Sequence, residues 1–251
     1  MLKIENLRVE VDGREVLRGI NLELGASEIA LLLGPNGSGK SSLIQTLLGN
    51  PKYRIKSGRI LLDGRDITDL PANERAALGL GAVFQMPPKL RGIKLRDLLR
   101  RLADRSGADY QSLLKMAEEM GAAHLLDRDL HVGFSGGEVK RAEVLLLAAQ
   151  RPKVALLDEP DSGVDLDSLP VLGKSIRSVI TQDGDRAQER RSALVVTHTG
   201  HIAKYLQATR AFIMVDGVIK CYGDAQAILR DVERYGFDGC LNCIFTEVRR
   251  G

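Results

Sequence analysis

The chain has 251 residues, 44% of them hydrophobic and 27% charged, enough apolar material for one large core and too much for a disordered chain. A formal net charge of +3 does not argue for nucleic acid. With no Trp and aromatics at only 4%, a base-stacking platform is also disfavoured, so no nucleic-acid partner is expected. The N-terminus lacks a basic segment followed by a long apolar run, and the longest apolar runs fall far short of a membrane span. The expectation is a soluble, cytoplasmic protein without direct membrane insertion.

In chain order, Ile4, Leu7, Val9 and Val11 read as a strand, Asp12-Gly13 as a hairpin turn, and Ile20, Leu22 and Leu24 as the return strand. Ile29 to Leu33 reads as a buried strand running into a glycine-rich turn. Ser41 to Leu48 has helical spacing and stops at Gly49-Asn50-Pro51. Arg59 to Leu62 reads as a strand ending at Asp63-Gly64, and Val83-Phe84-Gln85 closes this part. From Pro87 to Ala123, Leu95, Leu98, Leu99 and Leu102, then Leu113, Leu114, Met116, Ala117 and Met120, recur at three and four residues. They predict a helical lobe inserted into an α/β core. A helix over Gly137 to Ala149, a buried strand over Val154 to Leu157, a helix over Ser168 to Ile180, a polar loop and a strand over Ala193 to Thr197 follow. Such alternation predicts an α/β fold with a mainly parallel sheet, an N-terminal antiparallel β subdomain and the inserted α-helical lobe. The expected division is a catalytic core of residues 1–87 and 151–251, with the lobe and its motif in residues 88–150.

Gly34, Pro35, Asn36, Gly37, Ser38, Gly39, Lys40 and Ser41, with Ser42 following, match the P-loop pattern between a strand and a helix. Glycines let successive N–H groups point at one phosphate, and the helix N-terminus adds its dipole there. Lys40 supplies a full charge to the β and γ phosphates, and the Ser41 hydroxyl is placed for Mg²⁺. The predicted strand Val154 to Leu157 runs into Asp158 and Glu159, at the strand edge where open α/β sheets bind ligands. Asp158 suits the Mg²⁺ shell, and Glu159 suits proton acceptance from an attacking water. Ser135-Gly136-Gly137-Glu138 forms a second anion-binding helix start, which one domain can use on the same phosphate only from the opposite side.

These residues, in this order, resemble the ABC ATPases. The resemblance implies ATP and Mg²⁺ as cofactors, and a second copy of the chain whose Ser135 to Glu138 segment caps the ATP held by the first. It further implies that Gln85 senses Mg²⁺ and the lytic water, that Asp165 lies in a loop crossing between subunits, and that His198 contacts the γ-phosphate. Members often stack adenine on an aromatic of the first hairpin, where this chain has Val11; phosphate contacts are then expected to dominate. The interval between Lys40 and Ser135 carries no heptad run, which disfavours DNA-linked members with coiled-coil insertions. Val132 to Arg141, Leu157 to Asp165, Phe84 to Pro87 and Val215 to Gly223 resemble the SufC family more closely. That implies a SufB/SufD-like scaffold partner in iron–sulfur cluster assembly; a membrane transporter subunit is the alternative. The short lobe suggests one minimal scaffold rather than a SufB–SufD pair.

Cys240 and Cys243 depart from that family. Two thiolates at this spacing suit an iron–sulfur cluster or zinc, a redox pair, or unliganded cysteines. Cys221, in a strand-like run, reads as core packing. Lys89, Arg91, Lys94, Arg96, Arg100 and Arg101 form either a solvated helix face or a dock for an acidic partner. His124, His131 and His201 read as structural or surface positions.

Overall fold

A computed structural model describes residues 1–181, 190–197, 200–241 and 249–250, with side chains as far as Phe237 and within those ranges. The first strands, β1 (Leu2–Val11) and β2 (Arg14–Leu24), form the expected hairpin. Asp12 and Gly13 both have positive φ, 50° and 76°, as a two-residue turn between twisted strands requires. After β3 (Ile29–Leu33) and α1 (Lys40–Leu47), β4 (Arg54–Leu62) pairs antiparallel with β1, and the short β5 (Arg65–Asp66) completes a four-stranded sheet.

Next come α2 (Ala72–Ala77), β6 (Leu80–Val83), β7 (Leu90–Lys94), α3 (Leu95–Ser106), α4 (Tyr110–Glu119), β8 (Asp129–Leu130) and α5 (Gly136–Gln150). The chain continues through β9 (Val154–Asp158), α6 (Leu169–Thr181), β10 (Ser192–Val196), α7 (Ala203–Leu206), β11 (Arg210–Val215), β12 (Val218–Asp224), α8 (Ala225–Leu241) and β13 (Arg249–Arg250). The central sheet has the order β13-β12-β11-β3-β10-β9-β6. Its strands from β11 to β6 are parallel, and β12 and β13 are antiparallel additions.

All five residues of β3 are buried, because the central sheet is covered on both faces. Alternation then sends successive residues into two cores. Ile29, Leu31 and Leu33 join Ala155, Leu157, Ala193 and Val195 beneath the helices α3 to α6. Ala30 and Leu32 join Val154, Leu156, Leu194 and Val196 against α1 and the N-terminal sheet. Truncating a central side chain such as Leu31, fully buried, is expected to cost about 2–5 kcal/mol.

The lobe helices bury the periodic residues Leu95, Leu99, Leu113 and Ala117. Gln85 follows a strand, as expected: β6 stops at Val83, and Phe84 and Gln85 lie just beyond it. The structure corrects other details. The strand expected from Arg59 begins at Arg54. Leu90–Lys94 forms a ribbon with Asp129–Leu130, so Lys89, Arg91 and Lys94 are not on a helix face. Arg96 is held by Asp127 at 2.8 Å.

Candidate functional site

The turn after β3 is shaped by close packing. Gly34 has φ 151°, and a Cβ there would lie 2.1 Å from the Met214 carbonyl oxygen, so no larger residue fits. Gly39 precedes α1 in a left-handed conformation, and no side chain caps that helix. Its first-turn amides therefore face the cleft with the positive end of the helix dipole. Lys40, only 4% exposed, folds over the loop and donates to the carbonyls of Gly34 (2.8 Å) and Pro35 (2.9 Å). Burial pulls its pKa below the usual lysine value, against the pull of Glu159 and Asp158. Ser38 is also buried, and its Oγ has no hydrogen-bond partner among the described residues. An ammonium and a hydroxyl buried on carbonyls and bare amides suit a phosphate.

Across the cleft, Ser41 Oγ donates to Asp158 Oδ1 at 3.2 Å. Burial pushes the Asp158 carboxyl above the usual carboxylate range, although the Ser41 hydrogen bond opposes it. Two hard oxygen donors side by side, one of them a carboxylate buried away from water, fit Mg²⁺. Glu159 sits in a left-handed conformation, φ 50°, one residue beyond β9, its N–H donating to Val196 O at 3.0 Å. This uncommon backbone for a glutamate turns it from the strand. Gln85 Nε2 donates to Glu159 Oε2 at 2.7 Å, so β6 and β9 bring together two residues far apart in sequence. The resulting cleft, about 1100 Å³, is lined by Gly34 to Gly37, Gly39 to Ser42, Gln85 and Glu159, and by residues of β2 and the β11–β12 turn.

Ser135, Gly136 and Gly137 do not line this cleft. They open α5 on another surface, where Gly137 adjoins Val164, Asp167 and Ser168, and where a Cβ on Gly136 would approach Gly163 O to 2.9 Å. Ser135 caps the helix by accepting from Glu138 N–H, and the Glu138 carboxylate accepts from Ser135 N–H at 2.7 Å.

The family model described as ABC transporter matches residues 17–162. A probable ABC transporter ATP-binding protein of Streptococcus pyogenes is 39% identical over 254 residues, covering 95% of this chain and 94% of that one. Vegetative protein 296 of Bacillus subtilis is 36% identical, covering 94% of this chain and 92% of that one. The chain belongs to the ABC transporter ATP-binding family. A dimeric ATP-binding cassette in a post-hydrolysis state, bound to ADP and Pi, has the same fold with a TM-score of 0.73. It is 20% identical, and the match covers 89% of this chain and 98% of that one.

In this ABC ATP-binding subunit, Glu138 and Asp165 spend their carboxylates on their own helices. Glu138 also meets His124 at 2.7 Å, and His124 with the Ser135 amide lowers its pKa to about 2. Asp165 accepts from Ser168 N–H at 2.8 Å and from Ser168 Oγ at 2.9 Å, ahead of α6. His198 and Cys243 lie outside the described residues, as does the side chain of Cys240. Among the described residues no cluster of three or more His, Cys, Asp or Glu is placed to hold a metal, and no helix is long and apolar enough to cross a membrane. Cys221 is buried in β12, as expected for core packing.

Sequence reasoning missed a buried clamp beneath Gln85. Lys140 Nζ donates to the carbonyls of Phe84 (2.9 Å) and Gln85 (3.0 Å), while Glu143 accepts from Phe84 N–H at 3.2 Å. His131, 3% exposed, places Nδ1 2.9 Å from Pro88 O and Nε2 3.2 Å from Glu143 Oε1, the latter out of hydrogen-bond alignment. Burial works to lower the His131 pKa, but Glu143 and the Pro88 carbonyl outweigh it, and the net shift is upward. Lys140 and Glu143 stand one turn apart on α5, a spacing readable in sequence, but nothing local showed that their target is the Gln85 turn.

Proposed function

We propose that the chain is an ATPase whose two copies close on ATP, and that it drives conformational change in a SufB/SufD-like scaffold during iron–sulfur cluster assembly. The observation that carries the dimer is the absence of Ser135, Gly136 and Gly137 from the cleft that holds Lys40 and Glu159. A second copy can present that helix start to the open γ side.

Backbone N–H groups of Gly37 to Ser42 and the Lys40 ammonium hold the triphosphate. Ser41, Asp158 and Gln85 would hold Mg²⁺, which neutralises phosphate charge when bound. Glu159 accepts a proton from water as its oxygen bonds to the γ-phosphorus and the bond to the ADP oxygen breaks. Ser135 to Glu138 and Asp165 of the other copy close the site, and His198 contacts the γ-phosphate. Glu159→Gln is expected to lower turnover about 10²–10⁴-fold while preserving ATP binding. It should also trap an ATP-dependent dimer by size-exclusion chromatography with light scattering. A monomeric variant with full turnover contradicts the scheme.

The scaffold reading is supported by the SufC-like segments around Ser135 and Asp161. The S. pyogenes relative, a probable ABC transporter ATP-binding protein, supports the second reading, a nucleotide-binding subunit of a membrane transporter. Native purification separates the two: a soluble scaffold favours cluster assembly, and a polytopic membrane protein favours transport. One scaffold type rather than a mixed pair is expected. Cys240 and Cys243 are proposed as iron–sulfur or zinc ligands; metal analysis of the double Cys→Ser variant tests them, and unchanged content rules them out.

A further inference from the structure

We propose that Phe237 forms the base-binding wall of the nucleotide cleft, so that the purine of the bound nucleotide stacks on its ring. The inference rests on the nucleotide reading of the P-loop and assigns the opposite end of the same cleft. The order of the central sheet gives the direction. From β3, which leads into the P-loop, the strands carrying Glu159 and Gln85 lie on one side, as β10-β9-β6. The β11–β12 turn, Asp216-Gly217, lies on the other side of β3. The phosphate that reacts faces Glu159, so the base extends toward Asp216 and Gly217.

At that end the cleft is lined by Arg14, Val16 and Arg18 from β2, by Asp216 and Gly217, and by Phe237. Gly217 ties these pieces to the P-loop: its N–H donates to Ser38 O at 2.9 Å, and its carbonyl accepts from Arg18 N–H at 2.8 Å. Phe237 is the one aromatic among the described lining residues. Val11, at the hairpin position where ABC ATPases often carry an aromatic, is not among them.

The approach of Phe237 depends on a break in α8. Gly236 has φ 67° and ψ −178°, a region open essentially to glycine alone, so the helix turns there. Phe237 packs partly on the main hydrophobic core, which fixes the ring without burying it fully. A large, rigid, half-buried ring at the base end of a phosphate cleft is suited to stacking. Because every base presents a π-face, the contact strengthens binding without selecting adenine.

The test compares ATP, GTP and inorganic tripolyphosphate, each with Mg²⁺, by isothermal titration on the full chain. Phe237→Leu, which keeps apolar bulk but removes the ring, is expected to weaken ATP and GTP alike by about 5- to 150-fold, with tripolyphosphate unchanged. Phe237→Tyr should restore both, and Gly236→Ala should reproduce the loss with the ring still present. ATP affinity in Phe237→Leu within twofold of the unaltered protein overturns the proposal, as does an equal loss for tripolyphosphate. Should the unaltered protein bind none of the three ligands, the nucleotide reading fails as well; unaltered protein that binds ATP and loses it in Lys40→Ala leaves that reading standing whatever Phe237 does.

Discussion

Two helix N-termini in this subunit have opposite designs. The start of α1 follows Gly39, has no side-chain cap and no acidic residue in its first turn. The start of α5 has Ser135 as cap, Glu138 closing the capping box, and His124 and Arg128 around the same carboxylate, at 2.7 and 3.8 Å. An uncapped end leaves its amides for an anion, whereas a self-capped end is stable alone and meets an anion with fewer free donors and a nearby negative charge. In the proposed dimer, this contrast lets α1 hold phosphate within one chain while α5 is kept for the nucleotide of the other.

The comparison breaks most sharply at Lys40. Lys40→Ala removes the one full positive charge of the P-loop, and ATP affinity by isothermal titration should fall about a hundredfold or more. Near-normal affinity would mean that the bare amides of α1 suffice. At α5 the expected effect is on stability. Ser135→Ala should cost about 0.5–2 kcal/mol and lower Tm by a few degrees, roughly 2–4 °C per kcal/mol, without weakening ATP binding by the monomer.

Glu138 adds a pH signature to the same end. Its folded pKa is lowered, so its stabilisation is present above the unfolded value of 4.5 and is lost as pH falls toward about 2. Glu138→Gln should flatten thermal stability across that acid window, by scanning calorimetry. The smallest effect concerns the clamp that joins α5 to the Gln85 turn. The folded pKa of His131 is raised above 6.5, so its contribution is complete below pH 6.5 and fades as pH climbs through the raised value. His131→Asn should remove that alkaline-side decline in Tm; a decline that persists would assign it to another group.

Much of the phosphate end was legible because its chemistry is contiguous. Gly34 to Ser42 carry their function in backbone conformation and in residues a few positions apart, and Asp158 and Glu159 follow an unmistakably apolar strand. The start of α5 was legible for the same reason, through Ser135 and two glycines ahead of an apolar helical run, although its capping box appeared only in the structure. Local pattern was less informative about β7, where Leu90–Lys94 is mostly exposed and pairs with only two residues of β8. Nor did it find α8, whose break at Gly236 interrupts the helical period.

The sequence by itself determined the α/β class, the phosphate loop and the two helix starts, because each depends on near neighbours and on the period of the apolar residues. Only the tertiary structure decided what the distant parts do together. The parallel order of the central sheet sets Gln85 against Glu159, Ser135 opens α5 outside that cleft, and the bend at Gly236 precedes Phe237 on the cleft wall. Such contacts join residues far apart along the chain, and they exist only once two cores have packed on both faces of one sheet.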